Sequence, residues 1–408
     1  MRLSTSWMYQ QSVNTMLNQQ SALASTQNQV STGKRINVAS DDPAGAGQVL
    51  SLNHIMAAND QYSSNIDSAT NRLSTEQTVL GSVGNLYDSV RSMAIQGING
   101  SLSGSDRAGM ATQLGQLRDQ LVQLANTSDS NGMALFAGTS TTTTPFVKDA
   151  TGAVSYAGND TAQMASAGPG LKVPTSDTGS GLFMAIPTGN GTFTASAGSA
   201  NVGTLIVGAN SITDPAAWSA GSAANGGSYT ITFGAGGSWV ATNASGNPAL
   251  DGGGNPVTGT YQSGGSISFN GMTLSLSGIP ASGDTVQVQA GGKQDVFATL
   301  DSMIATLQGG GSNALVANQL SRQIESLDQA KSVATSAEVS IGGRLNTLGQ
   351  QKSVYQDLKV TYQQTLSSVQ NVDVYTAIGN LSSQSAALQA SQQTFAKVNA
   401  MTLFNYIK

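Results

Sequence analysis

Residues able to do acid–base, metal or phosphate chemistry are few, and their spacing suits none of these tasks. The 408 residues include one histidine, His54, and no cysteine. That excludes disulfides, thiolate metal sites and cysteine nucleophiles, and it leaves any triad or His-rich zinc site with a single imidazole to draw on. His54 stands in the polar helical stretch Leu52-Asn53-His54-Ile55, where a surface histidine is expected. Asp41 and Asp42 form a carboxylate pair, but no third ligand lies nearby in sequence. Pro43 follows them, and an acidic cap before a proline in the first turn is the ordinary start of a helix. Gly291-Gly292-Lys293 lacks the first glycine of a phosphate loop and the hydroxyl after its lysine. Asp251-Gly252-Gly253-Gly254-Asn255 lacks the acidic spacing of a calcium loop. With no convergent acid, base and nucleophile, the expectation is a protein that is not an enzyme and has no cofactor or metal site.

Composition points toward self-packing instead. Charged residues are 10% and aromatics 5%, and the formal net charge is −5. No basic stripe suggests nucleic acid, and no run of 18 apolar residues suggests a membrane span. The start, Met1-Arg2-Leu3-Ser4-Thr5-Ser6-Trp7, lacks the apolar run of a cleavable signal peptide, so export would need another machine.

The elements that would position such a packing surface are legible from periodicity. Residues 141–292 hold 29 of the 48 glycines and 8 of the 9 prolines. On either side, apolar residues recur at helical spacing. From Tyr62 an alternating 4–3 pattern runs through Ile66, Ala69, Leu73, Glu76, Leu80, Val83, Tyr87, Val90, Ala94 and Gly97, with Glu76 the misfit. A shorter run spans Met110 to Leu124, and another spans Phe297 to Leu307. The longest goes from Leu320 through Leu327, Ala334, Ile341, Leu348 and Tyr355 to Val369. At about 1.5 Å per residue it would be roughly 75 Å long, and the 62–97 helix roughly 50 Å. A seven-residue repeat implies left-handed packing between such rods, with Gly342-Gly343 a point where the longer one could bend.

The chain ends read differently. Their seams, Val13, Met16, Gln20, Leu23, Gln27 and Val30, and Val374, Ile378, Leu381, Ser385, Leu388, Gln392, Phe395 and Asn399, are half polar. Such helices are weak alone in water. The two ends are expected to pair and to be completed by neighbouring subunits. The tail adds Leu403, Phe404, Tyr406 and Ile407, large apolar groups where a terminus is usually polar. In the middle block, Ser266-Ile267-Ser268-Phe269 and Met272-Thr273-Leu274-Ser275-Leu276 flank Asn270-Gly271, a hairpin signal. Residues 204–207, 229–233 and 285–289 are further strand candidates. The fold class is therefore mainly α with an inserted β domain: antiparallel helical bundle arms from both chain ends and a small glycine-rich β domain. The expected parts are an assembly unit of 1–58 with 365–408, a helical rod of 59–140 with 291–364, and the β insert of 141–290.

Several segments sharpen this pattern into a resemblance. STGKRINVASDDPAG at 31–45 resembles the turn between the first two N-terminal helices of the flagellin superfamily. NGMALFAG at 131–138 resembles the segment where that family's helical arm gives way to its variable domain, although Met133-Ala134 replaces larger polar and aromatic residues. RLSTSWMYQQSVN at 2–14, QDVFATLDSMIATLQ at 294–308 and the tail TLFNYI are more similar to hook–filament junction subunits than to filament flagellins. The resemblance covers about 1–140 and 290–408 and is weak across 145–280.

It implies a structural subunit of the bacterial flagellum, an adaptor at the hook–filament junction, extracellular and exported by the flagellar type III apparatus without a cleaved signal peptide. The implied partners are copies of itself in a ring, the first hook-associated junction protein, flagellin and a flagellar export chaperone on the C-terminal helix. Nucleic acid and membrane insertion are not implied. The candidate assembly and chaperone residues are Val13, Leu23, Val30, Leu381, Leu388, Phe395, Leu403, Phe404, Tyr406 and Ile407. A minor filament flagellin is the alternative, and a stalked carbohydrate-binding adhesin a more distant one.

Overall fold

A computed structural model describes residues 5–404, with side chains over residues 6–400. Helix boundaries follow from local chemistry. α1 (Thr5–Thr32) stops at Gly33, whose φ of 70° is a left-handed conformation that glycine adopts without strain. α2 (Pro43–Gly97) begins with proline, and Asp42 Oδ1 accepts the Gly45 N–H at 2.9 Å. α3 (Gly104–Ala125) opens on a capping box in which Ser103 and Asp106 satisfy each other's backbone donors. α4 (Pro215–Ala224) is capped by Asp214, and α5 (Val296–Gln308) by Asp295. α6 (Asn313–Gln370) and α7 (Val374–Phe404) complete the helices. No described helix is long and apolar enough to cross a membrane.

The chain divides into two compact units, one of residues up to 64 with those from 350 on, the other of residues 65–349. In the first, α1 packs antiparallel on α7. The beginning of α2 meets the end of α6 there through stacked Tyr62 and Tyr355, 5.7 Å between centroids, and an Asp60–Lys359 ion pair.

In the second unit the α2 seam is buried throughout, and the α6 seam is buried at every second position, with Ile324, Lys331, Glu338 and Leu345 half-buried between. Ile66, Ala69, Leu73, Leu80, Val83, Tyr87, Val90 and Ala94 of α2 are buried, as are Leu320, Leu327, Ala334, Ile341 and Leu348 of α6, seven apart. α2 and α6 run antiparallel, flanked by Arg91–Asp328 and Asp88–Lys331. The α6 helix continues through Gly342-Gly343. Glu76, the misfit, is fully buried in the same seam.

The glycine-rich block forms two parts. The first lies at the root: β1 (Phe146–Lys148) pairs with β2 (Val154–Tyr156), and β3 (Met164–Gly168) with β4 (Leu171–Pro174). A π-helical turn at Ser180–Met184 follows, and Phe146, Phe183 and Phe297 pack ring to ring with Phe136 and Tyr156 beside them. β5 (Ile186–Pro187) then pairs with β14 (Lys293–Gln294), so the chain leaves and returns at one point.

The second part is a two-sheet β structure. β6 (Phe193–Ala197), β8 (Ser228–Phe233), β9 (Ser238–Asn243), β10 (Thr258–Thr260) and β13 (Thr285–Ala290) form an antiparallel sheet ordered β10-β9-β8-β13-β6. β7 (Ile206–Ile212), β11 (Ser266–Phe269) and β12 (Met272–Ser277) form a second, ordered β11-β12-β7. Both sheets and α4 share one core built on Phe193, Trp218, Tyr229, Ile231, Leu274 and Val288. The β11–β12 turn is Asn270-Gly271, both at positive φ (45° and 74°), as a type I′ hairpin requires.

Candidate assembly interface

The α1–α7 pair is built from sequences with little apolar surface, and its seam is correspondingly thin. Val13, Leu23 and Val30 lie half-buried on one face of α1, and Leu381, Leu388 and Phe395 half-buried on one face of α7. None reaches the full burial seen along α2 and α6. Leu403 and Phe404 belong to the last turn of α7, where only the backbone is described; Tyr406 and Ile407 lie outside the described residues.

The polar seam positions differ from the sequence expectation. Gln20, Gln27, Gln392 and Asn399 are exposed, and Val374 and Ile378 are too. Gln19, Thr26, Ala377, Gln384 and Ser391 turn inward instead. With polar residues at alternate seam positions, no apolar side chain dictates the inner face there, and packing of one helix on the other sets it. Thr26 satisfies its hydroxyl on the Ala22 carbonyl, whereas buried carbonyl oxygens of Gln19 and Gln384 have no protein partner.

Toward the chain ends the pair opens into a groove of about 570 Å³ lined by Met8, Tyr9, Met16, Thr394, Phe395 and Val398. Tyr9 meets Phe395 at 5.1 Å between centroids. Around it Trp7, Met8, Tyr9, Leu17 and Val398 are exposed. The signal for the first three was the apolar run Trp7-Met8-Tyr9, which periodicity counting passed over.

At the other end of the pair, the turn joining α1 to α2 is locked onto the turn joining α6 to α7. Lys34 and Asn371 form a β-bridge, the Arg35 N–H donates to the Gln370 carbonyl at 2.7 Å, and the Val372 N–H donates to the Gly33 carbonyl at 3.0 Å. The Arg35 guanidinium donates to the Val369 carbonyl and pairs with Asp42. Asp41 accepts the Val38 and Asn37 N–H groups, which hold its carboxyl below the usual range. Asp42 is lowered by the Gly45 N–H and then by Arg35. Both carboxylates are thus occupied in shaping the turn. Beside it Val38, Val374, Tyr375 and Ile378 are exposed, Tyr375 at 92%, a second apolar patch that includes two positions the periodicity had placed inside the seam.

Elsewhere, His54 is exposed and Asp251 accepts backbone N–H groups of its own loop. No group of three or more His, Cys, Asp or Glu side chains able to hold a metal occurs among the described residues.

Long antiparallel helices from both chain ends, a thin terminal pair with open apolar faces and a β insert are the architecture of a flagellin-type assembly subunit. Residues 3–141 match the bacterial flagellin N-terminal helical region. Hook-associated protein 3 of Escherichia coli K12 is 42% identical over 149 residues, 36% of this chain and 47% of that protein. The Salmonella typhimurium protein of the same name is 40% identical over 146 residues, 36% of this chain and 46% of that protein. These alignments span about half the length of the curated relatives. The solved structure of Xanthomonas campestris FlgL is 34% identical, with a TM-score of 0.67, covering 78% of this chain and 99% of that one. That of Legionella pneumophila hook-associated protein 3 is 29% identical, with a TM-score of 0.70, covering 78% and 98%. The chain belongs to the hook-associated protein 3 (FlgL) family of the flagellin superfamily.

Proposed function

We propose that this protein is the adaptor at the hook–filament junction, joining the first hook-associated junction protein on the hook side to flagellin on the filament side, as one of several copies in a ring. The observation that carries this reading is the incomplete α1–α7 pair. Its seam is only half-buried, its groove is open, and Trp7, Met8, Tyr9 and Leu17 stand exposed beside Phe395 and Val398. Neighbouring subunits packed on these faces would bury them, each large side chain contributing roughly 1.5–3 kcal/mol. Val13, Leu23, Val30, Leu381, Leu388 and Phe395 are the proposed assembly residues, together with Leu403, Phe404, Tyr406 and Ile407 of the tail.

Before assembly the same apolar face of α7 needs a cover, and a flagellar export chaperone is the proposed one. Export by the flagellar type III apparatus without a cleaved signal peptide, an extracellular place at the junction and a purely structural, non-enzymatic role belong to the same reading. So does the division into an assembly unit (1–58 with 365–408), a rod (59–140 with 291–364) and an insert (141–290).

A strain lacking the gene should show hooks without filaments by electron microscopy, with flagellin shed into the medium. Complementation with Leu388→Asp plus Phe395→Asp should fail to restore motility while circular dichroism of the purified variant keeps the rod signal. Full filaments on the double variant would refute the role of α7. Normal filaments in the deletion strain would favour a minor filament flagellin, the reading to which the Listeria monocytogenes flagellin, 31% identical over 119 residues, lends support.

A further inference from the structure

β7 is the longest strand of the molecule's described part, and it lies at an edge of its sheet. On one side it pairs with β12. A seven-residue edge strand ordinarily presents a row of unpaired N–H and C=O groups, a template for any strand that comes near. Here, from Leu205 to Asn210, side chains of one helix meet that row. Asn318 of α6 accepts the Val207 N–H through Oδ1 at 2.8 Å and donates Nδ2 to the Leu205 carbonyl at 2.8 Å. Those are the donor and acceptor that a residue of a parallel neighbouring strand, opposite Ile206, would offer.

One turn on, the Arg322 guanidinium donates to the Val207 carbonyl at 2.9 Å and also to the Gly208 carbonyl. Arg322 is held in turn by Glu325, whose Oε1 accepts both the backbone N–H and the side-chain amide of Asn210 at 3.2 Å. Asn318, Arg322 and Glu325 lie at i, i+4 and i+7, one face of α6, and their spacing along the helix tracks the strand from Leu205 to Asn210. The contact is most enclosed at its start, where Val207 is fully buried and Asn318 is 7% exposed; Asn210 is 9% exposed, and the Arg322 and Glu325 side chains keep 17% and 12% of their surface exposed.

We propose that α6 serves β7 as a surrogate strand: Asn318, Arg322 and Glu325 occupy its outer edge, fasten the β structure to the rod, and keep that edge from pairing with a strand of another copy of this chain. The need is physical. A protein whose copies gather at high local concentration with a long, uncharged edge strand carries a standing risk of edge-to-edge association. The seven residues of β7, Ile-Val-Gly-Ala-Asn-Ser-Ile, contain neither a charge nor a proline to discourage it. The protection comes instead from a helix far along the sequence, with Asn318 111 residues from Val207.

The test uses the full-length chain carrying Asn318→Ala, Arg322→Ala and Glu325→Ala, which removes both the hydrogen-bond partners and the side-chain bulk from the edge. Backbone hydrogen exchange is read at Val207 and Asn210, with Ile231 and Val288 in the other sheet as internal standards, and association is read by sedimentation. The expected result has two parts. Exchange at Val207 in dilute solution quickens by about tenfold or more, the effect of losing a buried hydrogen bond, while Ile231 and Val288 keep their protection. A concentration-dependent dimer then appears in which Val207 regains its protection. Unchanged exchange at Val207, a chain that stays monomeric at high concentration, or a dimer that leaves Val207 unprotected would each overturn the proposal. Should Val288 lose protection as well, the single Asn318→Ala variant decides in its place by the same two readings.

Discussion

Glu76→Gln should stabilise the unit of residues 65–349 at neutral and mildly alkaline pH and leave it unchanged in acid. Glu76 is fully buried in the α2 seam. Its Oε1 accepts the Asp177 N–H at 2.9 Å, and its Oε2 has no protein partner. Its carboxyl is raised from 4.5 to about 8, chiefly by burial and further by the Asp177 carboxylate, against the downward pull of the Asp177 N–H and of the nearby Arg344 and Arg72 guanidinium groups. Asp177 is itself paired with Arg344 at 2.7 Å, so the loop at 175–178 is clasped between α2 and α6.

The sign follows from proton linkage. The folded state holds the Glu76 proton more tightly than the unfolded chain does. The stability it contributes is therefore complete below about pH 4.5 and is lost as pH rises toward about 8. An acid ionising near 4.5 unfolded and near 8 folded loses about 3 kcal/mol between pH 4.5 and 7. Water entering the seam and rearrangement of the Asp177–Arg344 pair will reduce this to on the order of 1–3 kcal/mol. Glutamine keeps an acceptor for the Asp177 N–H and cannot ionise. Thermal unfolding of the purified chain by calorimetry at pH 5 and pH 8 is the assay. The wild-type transition of this unit should fall between the two values, and the variant's should not. At pH 8 the variant should melt higher by several degrees, at roughly 2–4 °C per kcal/mol for a unit of this size. Parallel pH profiles for the two proteins, or a variant less stable at pH 8, would refute the burial of an ionisable Glu76 as the cause.

Gly342→Ala and Gly343→Ala should each stabilise α6 by about 0.5–1 kcal/mol in thermal circular dichroism, because a Cβ at either position meets nothing within 4 Å; a loss of stability would mean the helix needs flexibility there. Gly33→Ala should destabilise the unit holding the chain ends by about 1–2 kcal/mol, since the space is open but φ is 70°, and Gly33→Asn should cost less. Equal effects of the two in denaturant titrations would show that φ is not the cause. Excising 190–291 behind the β5–β14 pair should leave a cooperative helical melting transition, whereas replacing 145–288 by a short linker should weaken it. The larger cut removes Phe146 and Phe183 from the aromatic cluster with Phe297, and Asp177 from Arg344. Identical melting of the two variants would sink that distinction.

Where one short segment contains its own physics, the sequence by itself determined the outcome. The heptads of α2 and α6 placed the buried residues, because a face repeating every seven residues has one way to hide. Asp42-Pro43 and Gly33 set helix limits through their own backbone chemistry, and Asn270-Gly271 set a hairpin through positive φ. The half-polar ends marked a thinly packed pair, but the 4–3 pattern put Gln20 in its seam where the structure turns Gln19 inward, since polar residues there give the pattern no apolar side chain to fix it. Tertiary structure alone decided the rest. Glu76 looked like an error in a seam until a loop residue 101 positions away brought it a donor. The glycine-rich block read as one domain, but Phe146 and Phe183 tie its first part to Phe297 at the rod. Asn318, a polar residue in a helix with many, became the neighbour of β7 only when folding closed 111 residues of chain. Contacts across such separations depend on where whole elements dock, and no local pattern of residue types carries that information.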